Sequence, residues 1–183
     1  MPHNALVTGP PRSGKTTAIR PAVDRLRADG YAVGGIYCPE MREDGDRVGF
    51  EIVDVHTGAR ETMAHVDFRE GLSVGKYRVD VGAVDAVAGA AIPAAVADAD
   101  CVVIDEIAPM ELASDRFVAE TRAALDADVP VLAAIAEGGT RGFLGEVKAR
   151  EDVETVRVES ETRDALPARL ADRVRRVHTS ERA

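Results

Sequence analysis

Two glycines five positions apart, then a lysine and two hydroxyls, constrain this chain more than any other feature: Gly9-Pro10-Pro11-Arg12-Ser13-Gly14-Lys15-Thr16-Thr17. The run follows the apolar "ALV" and precedes a segment in which Ile19, Val23 and Leu26 recur at helical spacing up to Gly30. A sharp, glycine-permitted turn between a buried strand and a helix points its backbone N–H groups inward, at the positive end of the helix dipole. Such a cradle suits a phosphate chain, with Lys15 reaching the terminal phosphates and the Thr16 hydroxyl reaching a bound Mg²⁺.

The strand, loop and helix are followed by "YAVGGIYC", a second strand, so the first forty residues form a βαβ unit with a parallel sheet. Pro21 inside the first helix predicts a bend or a one-turn irregularity there. From Pro39 to Asp80 the pattern changes. The segments "RVGFEIVDV" and "GKYRVDV" alternate, and "TGARETMAHV" opens with a turn, which predicts antiparallel hairpins inserted after the second strand (residues 39–82). Residues 83–97 are helical by composition, with Pro93 expected to open a second short helix. "CVVID" and "VPVLAAIA" read as buried strands, Ser114 to Asp126 as a helix, and "VETVRV" as a last strand. The glycine-rich "GGTRG" and a short helix from Phe143 to Arg150 make a lid-like segment over residues 137–150. The closing helix turns Leu166, Leu170, Val174 and Val177 inward and its arginines outward. A length of 183 residues suits one domain.

A second acidic element completes the chemistry. Asp105 and Glu106 stand at the carboxyl end of a buried strand, the edge at which open α/β sheets bind ligands. Asp105 is placed to hold the metal's shell together with Thr16, and Glu106 to orient and deprotonate an attacking water. Charge developing on the terminal phosphoryl group calls for a further cation. Arg141, in the glycine-rich loop, and Arg150, after the short helix, are the candidates.

Composition narrows the rest. A net charge of −9 opposes general binding to nucleic acid or anionic membranes, and 4% aromatics leaves few stacking platforms for single strands. Only Lys15, Lys76 and Lys148 are lysines, and an acidic, lysine-poor chain is expected of a protein adapted to high salt. Cys38 and Cys101 show no ligand spacing and read as reduced, in a cytoplasmic setting. No signal peptide or membrane span is expected, and a monomer is the default.

With both elements in hand, the chain resembles the small P-loop nucleoside-triphosphatase family that includes the cancer-related nucleoside-triphosphatase. The resemblance rests on "TGPPRSGKTT", "EMREDGDRVGFEIVD", "VGKYRVDV", "VVIDEIAPMEL" and "KAREDVETVRVESETRDALP", in that order. It implies an α/β, three-layer P-loop fold with a mostly parallel, RecA-like sheet and a strand between the phosphate-loop strand and the acidic strand. It implies Mg²⁺-dependent hydrolysis of ATP, GTP and other nucleoside triphosphates to the diphosphate and phosphate, with loose base selectivity. By matching position, Gly9 to Thr16 would bind the phosphates and Val102 to Pro109 would line the same site. This chain departs from the family at Arg12 and Ala108, where glycine is usual, at Thr162, where asparagine is usual, and near Ala136, where a polar residue is frequent. These departures bear on loop geometry, base contacts and sensing of the terminal phosphate, and they imply slow turnover. Arg163 and Thr162 follow the last strand, either as a loop against which the base packs or as the start of a helix.

Two other functions compete. A nucleotide or small-molecule kinase would use the 39–82 insertion as its acceptor pocket, with Arg42, Arg47, Lys76 and Arg78 as cations for an anionic acceptor. A nucleotide-dependent switch would need a partner surface, and no long apolar stretch, coiled coil or basic tail marks one.

Overall fold

The computed structural model describes residues 3–181. The apolar run before the glycine turn is β1 (Asn4–Thr8), and the helix behind the turn is α1 (Lys15–Ala28). β2 (Val33–Tyr37) follows, then the insertion strands β3 (Glu40–Glu43), β4 (Asp46–Asp54), β5 (Arg60–His65), β6 (Leu72–Val74) and β7 (Tyr77–Val79). The chain returns to the core through α2 (Val81–Asp98), β8 (Cys101–Ile107), a single 3-10 turn at Glu111–Ala113 and α3 (Asp115–Asp126). β9 (Val131–Ile135), α4 (Gly142–Lys148), β10 (Val153–Arg157) and α5 (Leu166–Glu181) complete it.

The central sheet runs β10-β1-β9-β8-β2, all parallel. β9 lies between the phosphate-loop strand β1 and the acidic strand β8, as the RecA-like arrangement requires. The insertion is not a separate layer. β4 pairs antiparallel with β2 at Ile36 and Tyr37, and the order then continues β4-β5-β7-β6 in the same ten-stranded sheet. The β3–β4 hairpin turns on Asp44 and Gly45, both at positive φ (50° and 87°), the pair a type I′ turn requires. In β2, Gly35 is at φ 121°, and a Cβ there would stand 1.9 Å from the Val103 carbonyl oxygen, so close strand contact excludes any larger residue.

Helices cover both faces. Ile19, Val23 and Leu26 of α1 and Leu170 and Val174 of α5 form the core on one side, while Val84 and Ile92 of α2 and Phe117 and Leu125 of α3 form it on the other. Arg175 ties α5 to Asp29 at the end of α1. α2 packs against β2, β4, β5 and β8, and so holds the insertion and the core as one sheet. It is also long and apolar enough to cross a membrane, with mean hydropathy 1.5. Its burial between the sheet and α3 accounts for that composition.

Both helices continue through their prolines. α1 runs unbroken through Pro21, because its buried face (Ala18, Ile19, Ala22, Val23, Leu26) fixes the helix against the sheet despite one lost backbone bond. α2 likewise continues through Pro93 where a second helix was expected. Pro93 cannot donate to the Gly89 carbonyl, and Arg116 of α3 donates to that oxygen instead, at 3.2 Å. Gly89 makes room for this guanidinium, which a Cβ would meet at 2.1 Å.

Candidate phosphate and metal site

β1 ends at Thr8, so the loop from Gly9 to Gly14 emerges at the carboxyl edge of the sheet. Ser13 N–H bonds the Pro10 carbonyl, and Gly14, at φ 100°, turns the chain into α1. No side chain caps this helix, so its first amides remain directed out of the turn. Arg12 adopts φ 63°, a left-handed conformation that costs an arginine about 1 kcal/mol and a glycine nothing. The departure from glycine at this position therefore has a conformational cost. Ala108 has none, because its φ is not positive.

β8 brings the acidic pair to the same edge. Thr16 Oγ1 donates to Asp105 Oδ1 at 3.2 Å, and Lys15 Nζ lies 3.1 Å from Glu106 Oε2. Asp105 is 5% exposed, and burial, with the Glu106 charge beside it, pushes its carboxyl up to about 6 despite the Thr16 bond. A desolvated carboxylate beside a hydroxyl is a hard-oxygen pair short of positive charge, which suits Mg²⁺. Among the described residues no cluster of three or more His, Cys, Asp or Glu could hold a metal.

Glu111, in the 3-10 turn after β8, was not singled out in the sequence. It is 3% exposed and its Oε2 has no hydrogen-bond partner among the described residues. Burial, then the charges of Glu106 and Asp105, push its carboxyl up to about 8, and burial holds the thiol of Cys38, hydrogen-bonded to it, well above its ordinary value. The folded chain thus keeps a proton on Glu111 that the unfolded chain releases near the ordinary glutamate value of 4.5. Stability from this source falls as pH rises from 4.5 to about 8, and Asp105 contributes with the same sign from 3.8 to about 6. Glu111→Gln is expected to flatten the decline, its melting temperature gaining on the parent's through this window and most above pH 8. Parallel melting profiles from pH 5 to 9 without metal would exclude it.

The candidate cations separate. Arg141 stands before α4, exposed; its carbonyl accepts from Gly145 N–H, and its side chain has no hydrogen-bond or ion-pair partner among the described residues. Arg150 is a correction. It bonds Asp152 and Asp126 and the Leu125 carbonyl, in the cluster where Asn4 holds Leu125 and Val131, at the amino ends of the strands and opposite the phosphate loop. Its α4–β10 connection leads back to the start of a parallel strand, so Arg150 faces away from the site. Arg150→Ala is expected to cost about 1–2 kcal/mol in denaturant unfolding, reduced for partial exposure, while kcat stays near the parent value.

Lys148 occupies the position expected of an arginine. Its ammonium donates to the carbonyls of Glu137, Gly138 and Gly139 at 3.0, 3.4 and 3.1 Å, and burial together with the nearby Lys15 charge holds its pKa below the ordinary value. It fixes the glycine-rich loop beside the phosphate loop. Ala136, bonded through its N–H to the Ile107 carbonyl, presents only a methyl group at the end of β9.

Two hollows meet at the loop. One, about 570 Å³, includes Lys15, Thr16, Thr17, Asp105, Glu106 and Ala108 and extends to the insertion. The other, about 370 Å³, runs over Arg12, Ser13, Gly14, Thr17 and Ala18 to Arg163 and Asp164. Thr162 and Arg163 lie in turns, and α5 begins only at Leu166, so the segment is a loop and Thr162 does not cap the helix.

Comparisons agree with this geometry. The family described as NTPase matches residues 4–171. The chain is 42% identical to nucleoside-triphosphatase THEP1 of Methanothermobacter thermautotrophicus, over 91% of this chain and 93% of that protein. It is also 42% identical to nucleoside-triphosphatase THEP1 of Methanopyrus kandleri, over 95% and 96%. The solution structure of a human cancer-related nucleoside triphosphatase superposes with a TM-score of 0.78 at 30% identity, covering 93% of this chain and 96% of that one.

Proposed function

Since this chain belongs to the NTPase family, we propose that its site hydrolyses nucleoside 5′-triphosphates to the diphosphate and phosphate with Mg²⁺, slowly and with broad base selectivity. One observation carries the reading: Lys15, Thr16, Asp105 and Glu106 converge at the mouth of the phosphate loop in two contacts of 3.1 and 3.2 Å.

The free amides at the head of α1 hold the phosphate chain, and Lys15 exchanges Glu106 for the terminal phosphates. Thr16 and Asp105 would hold Mg²⁺, which supplies charge neutralisation across the two terminal phosphates. Released from Lys15, the Glu106 carboxylate accepts a proton from the water that attacks the terminal phosphorus. Lys148 holds the 137–139 loop in place, and Arg141 from the same loop is available to the departing charge. The nucleoside occupies the hollow beside Thr17 and Arg163. The Arg163 guanidinium can stack on any base there, which favours weak selectivity.

The test is phosphate release from ATP, GTP, CTP and UTP with Mg²⁺, in low and high KCl, with the Glu106→Gln protein alongside. Multiple turnover on several bases, lost in the variant, is expected. Triphosphate binding without turnover by the parent chain would overturn the reading.

A further inference from the structure

The two hollows give a bound nucleotide a direction. Lys15, Asp105 and Glu106 belong only to the larger one and Arg163 only to the smaller, so the terminal phosphate faces the insertion and the nucleoside faces away from it. What lies beyond the terminal phosphate is much larger than a water, whose share of liquid volume is about 30 Å³.

That half of the cleft is built for an organic molecule. Phe50, Val74, Pro39 and Met110 supply apolar wall. Arg47 is held rigidly: its Nε donates to the Tyr77 hydroxyl at 3.0 Å, its Nη1 to Glu40 at 3.0 Å, and its guanidinium lies 5.4 Å over the Phe50 ring. Its Nη2 has no partner among the described residues. The lining includes Glu111, almost fully buried and hydrogen-bonded to Cys38, with Oε2 unpartnered among the described residues, a polar atom that a ligand hydroxyl would satisfy. Of the six arginines and lysines in the insertion, Arg47 alone lines the cleft. Arg42 is engaged by Glu40 and the Gly45 carbonyl, Arg78 by the Gly71 carbonyl, and Lys76 lies over the outer face of Tyr77.

We propose that this half-cleft binds a small polyol carrying a phosphate or carboxylate group, and that a hydroxyl of this molecule accepts the terminal phosphoryl group in competition with water. The inference rests on the orientation of the triphosphate proposed above. Arg47 pairs with the anionic group, Phe50 packs on the carbon skeleton, and Glu111 bonds a second hydroxyl. The acceptor oxygen forms a bond to the terminal phosphorus as the bond from that phosphorus to the bridging oxygen breaks. The nucleoside diphosphate leaves with the electron pair, and the hydroxyl proton passes to Glu106.

The experiment incubates the full chain and Mg²⁺ with triphosphate labelled at the terminal phosphorus and, separately, glycerol 3-phosphate, ribose 5-phosphate, 3-phosphoglycerate, glycerate or gluconate. Labelled ester is separated from labelled inorganic phosphate. At least one probe is expected to take the label, and the phosphate and carboxylate arms identify the anionic group. Arg47→Gln should lower the ratio of ester to inorganic phosphate by about ten-fold, the effect of one charge-assisted contact, and Phe50→Leu should lower it by about three- to ten-fold through lost apolar packing. Label confined to inorganic phosphate with every probe would overturn the proposal, as would an ester whose ratio neither variant changes. Ester formed without any phosphate release in the absence of probe would instead overturn hydrolysis and leave the acceptor site standing.

Discussion

The Glu106→Gln protein is expected to bind nucleoside triphosphate at least as tightly as the parent and to release phosphate about 10² to 10⁴-fold more slowly, the usual weight of a positioned general base. The affinity half follows from the ion pair. Lys15 faces Glu106 at 3.1 Å, and an incoming phosphate must displace that carboxylate and then sit beside it. The amide removes both the competition for Lys15 and the repulsion, while keeping the shape. The rate half follows from proton affinity, since an amide cannot take the proton of the attacking water. Glu106 is a third exposed, so its pairing is screened and its removal should leave the unfolding midpoint nearly unchanged. Equilibrium binding of a fluorescent triphosphate and phosphate release, measured on one preparation, separate the two halves. Normal hydrolysis by the variant would remove Glu106 from the reaction.

Much of this site was legible in the chain because its chemistry is local. Gly9 to Thr17 specifies a turn and a helix start within one stretch, and Asp105-Glu106 ends an unbroken apolar strand, so each half announces its position at the carboxyl edge. Glu111 was not legible, because its burial depends on α2, α3 and β8 closing around the 3-10 turn and no periodicity records that. Arg150 was misplaced for a related reason. Proximity in sequence to the glycine-rich loop suggested proximity to phosphate, but α4 carries the chain across the sheet to its other end. Lys148 left a weak trace as one of three lysines in an arginine-rich chain, and only the three carbonyls around it give it a role. Pro21 and Pro93 show tertiary packing prevailing over local propensity, with Arg116 replacing the donor that Pro93 lacks.

Replacing Lys15 by alanine is expected to weaken triphosphate binding by about 10- to 100-fold, the loss of one or two charge-assisted hydrogen bonds, and to lower turnover further. The Lys15 side chain is 13% exposed at the head of α1, so its charge acts where water screens it little. Its removal also strips Glu106 of its partner, leaving two carboxylates that repel the phosphates the loop must accept. Lys148 is close enough to feel the Lys15 charge, yet it does not substitute, because its ammonium is committed to the carbonyls of the 137–139 loop. The Thr16–Asp105 bond does not involve Lys15, so the variant should keep its fold and any affinity for metal alone. Lys15→Ala/Glu106→Gln isolates the cause. If part of the loss is repulsion from an unpaired Glu106, the double variant should bind triphosphate more tightly than Lys15→Ala, although it lacks both groups. Binding by Lys15→Ala within two- or three-fold of the parent would mean that the α1 amides hold the phosphate chain alone.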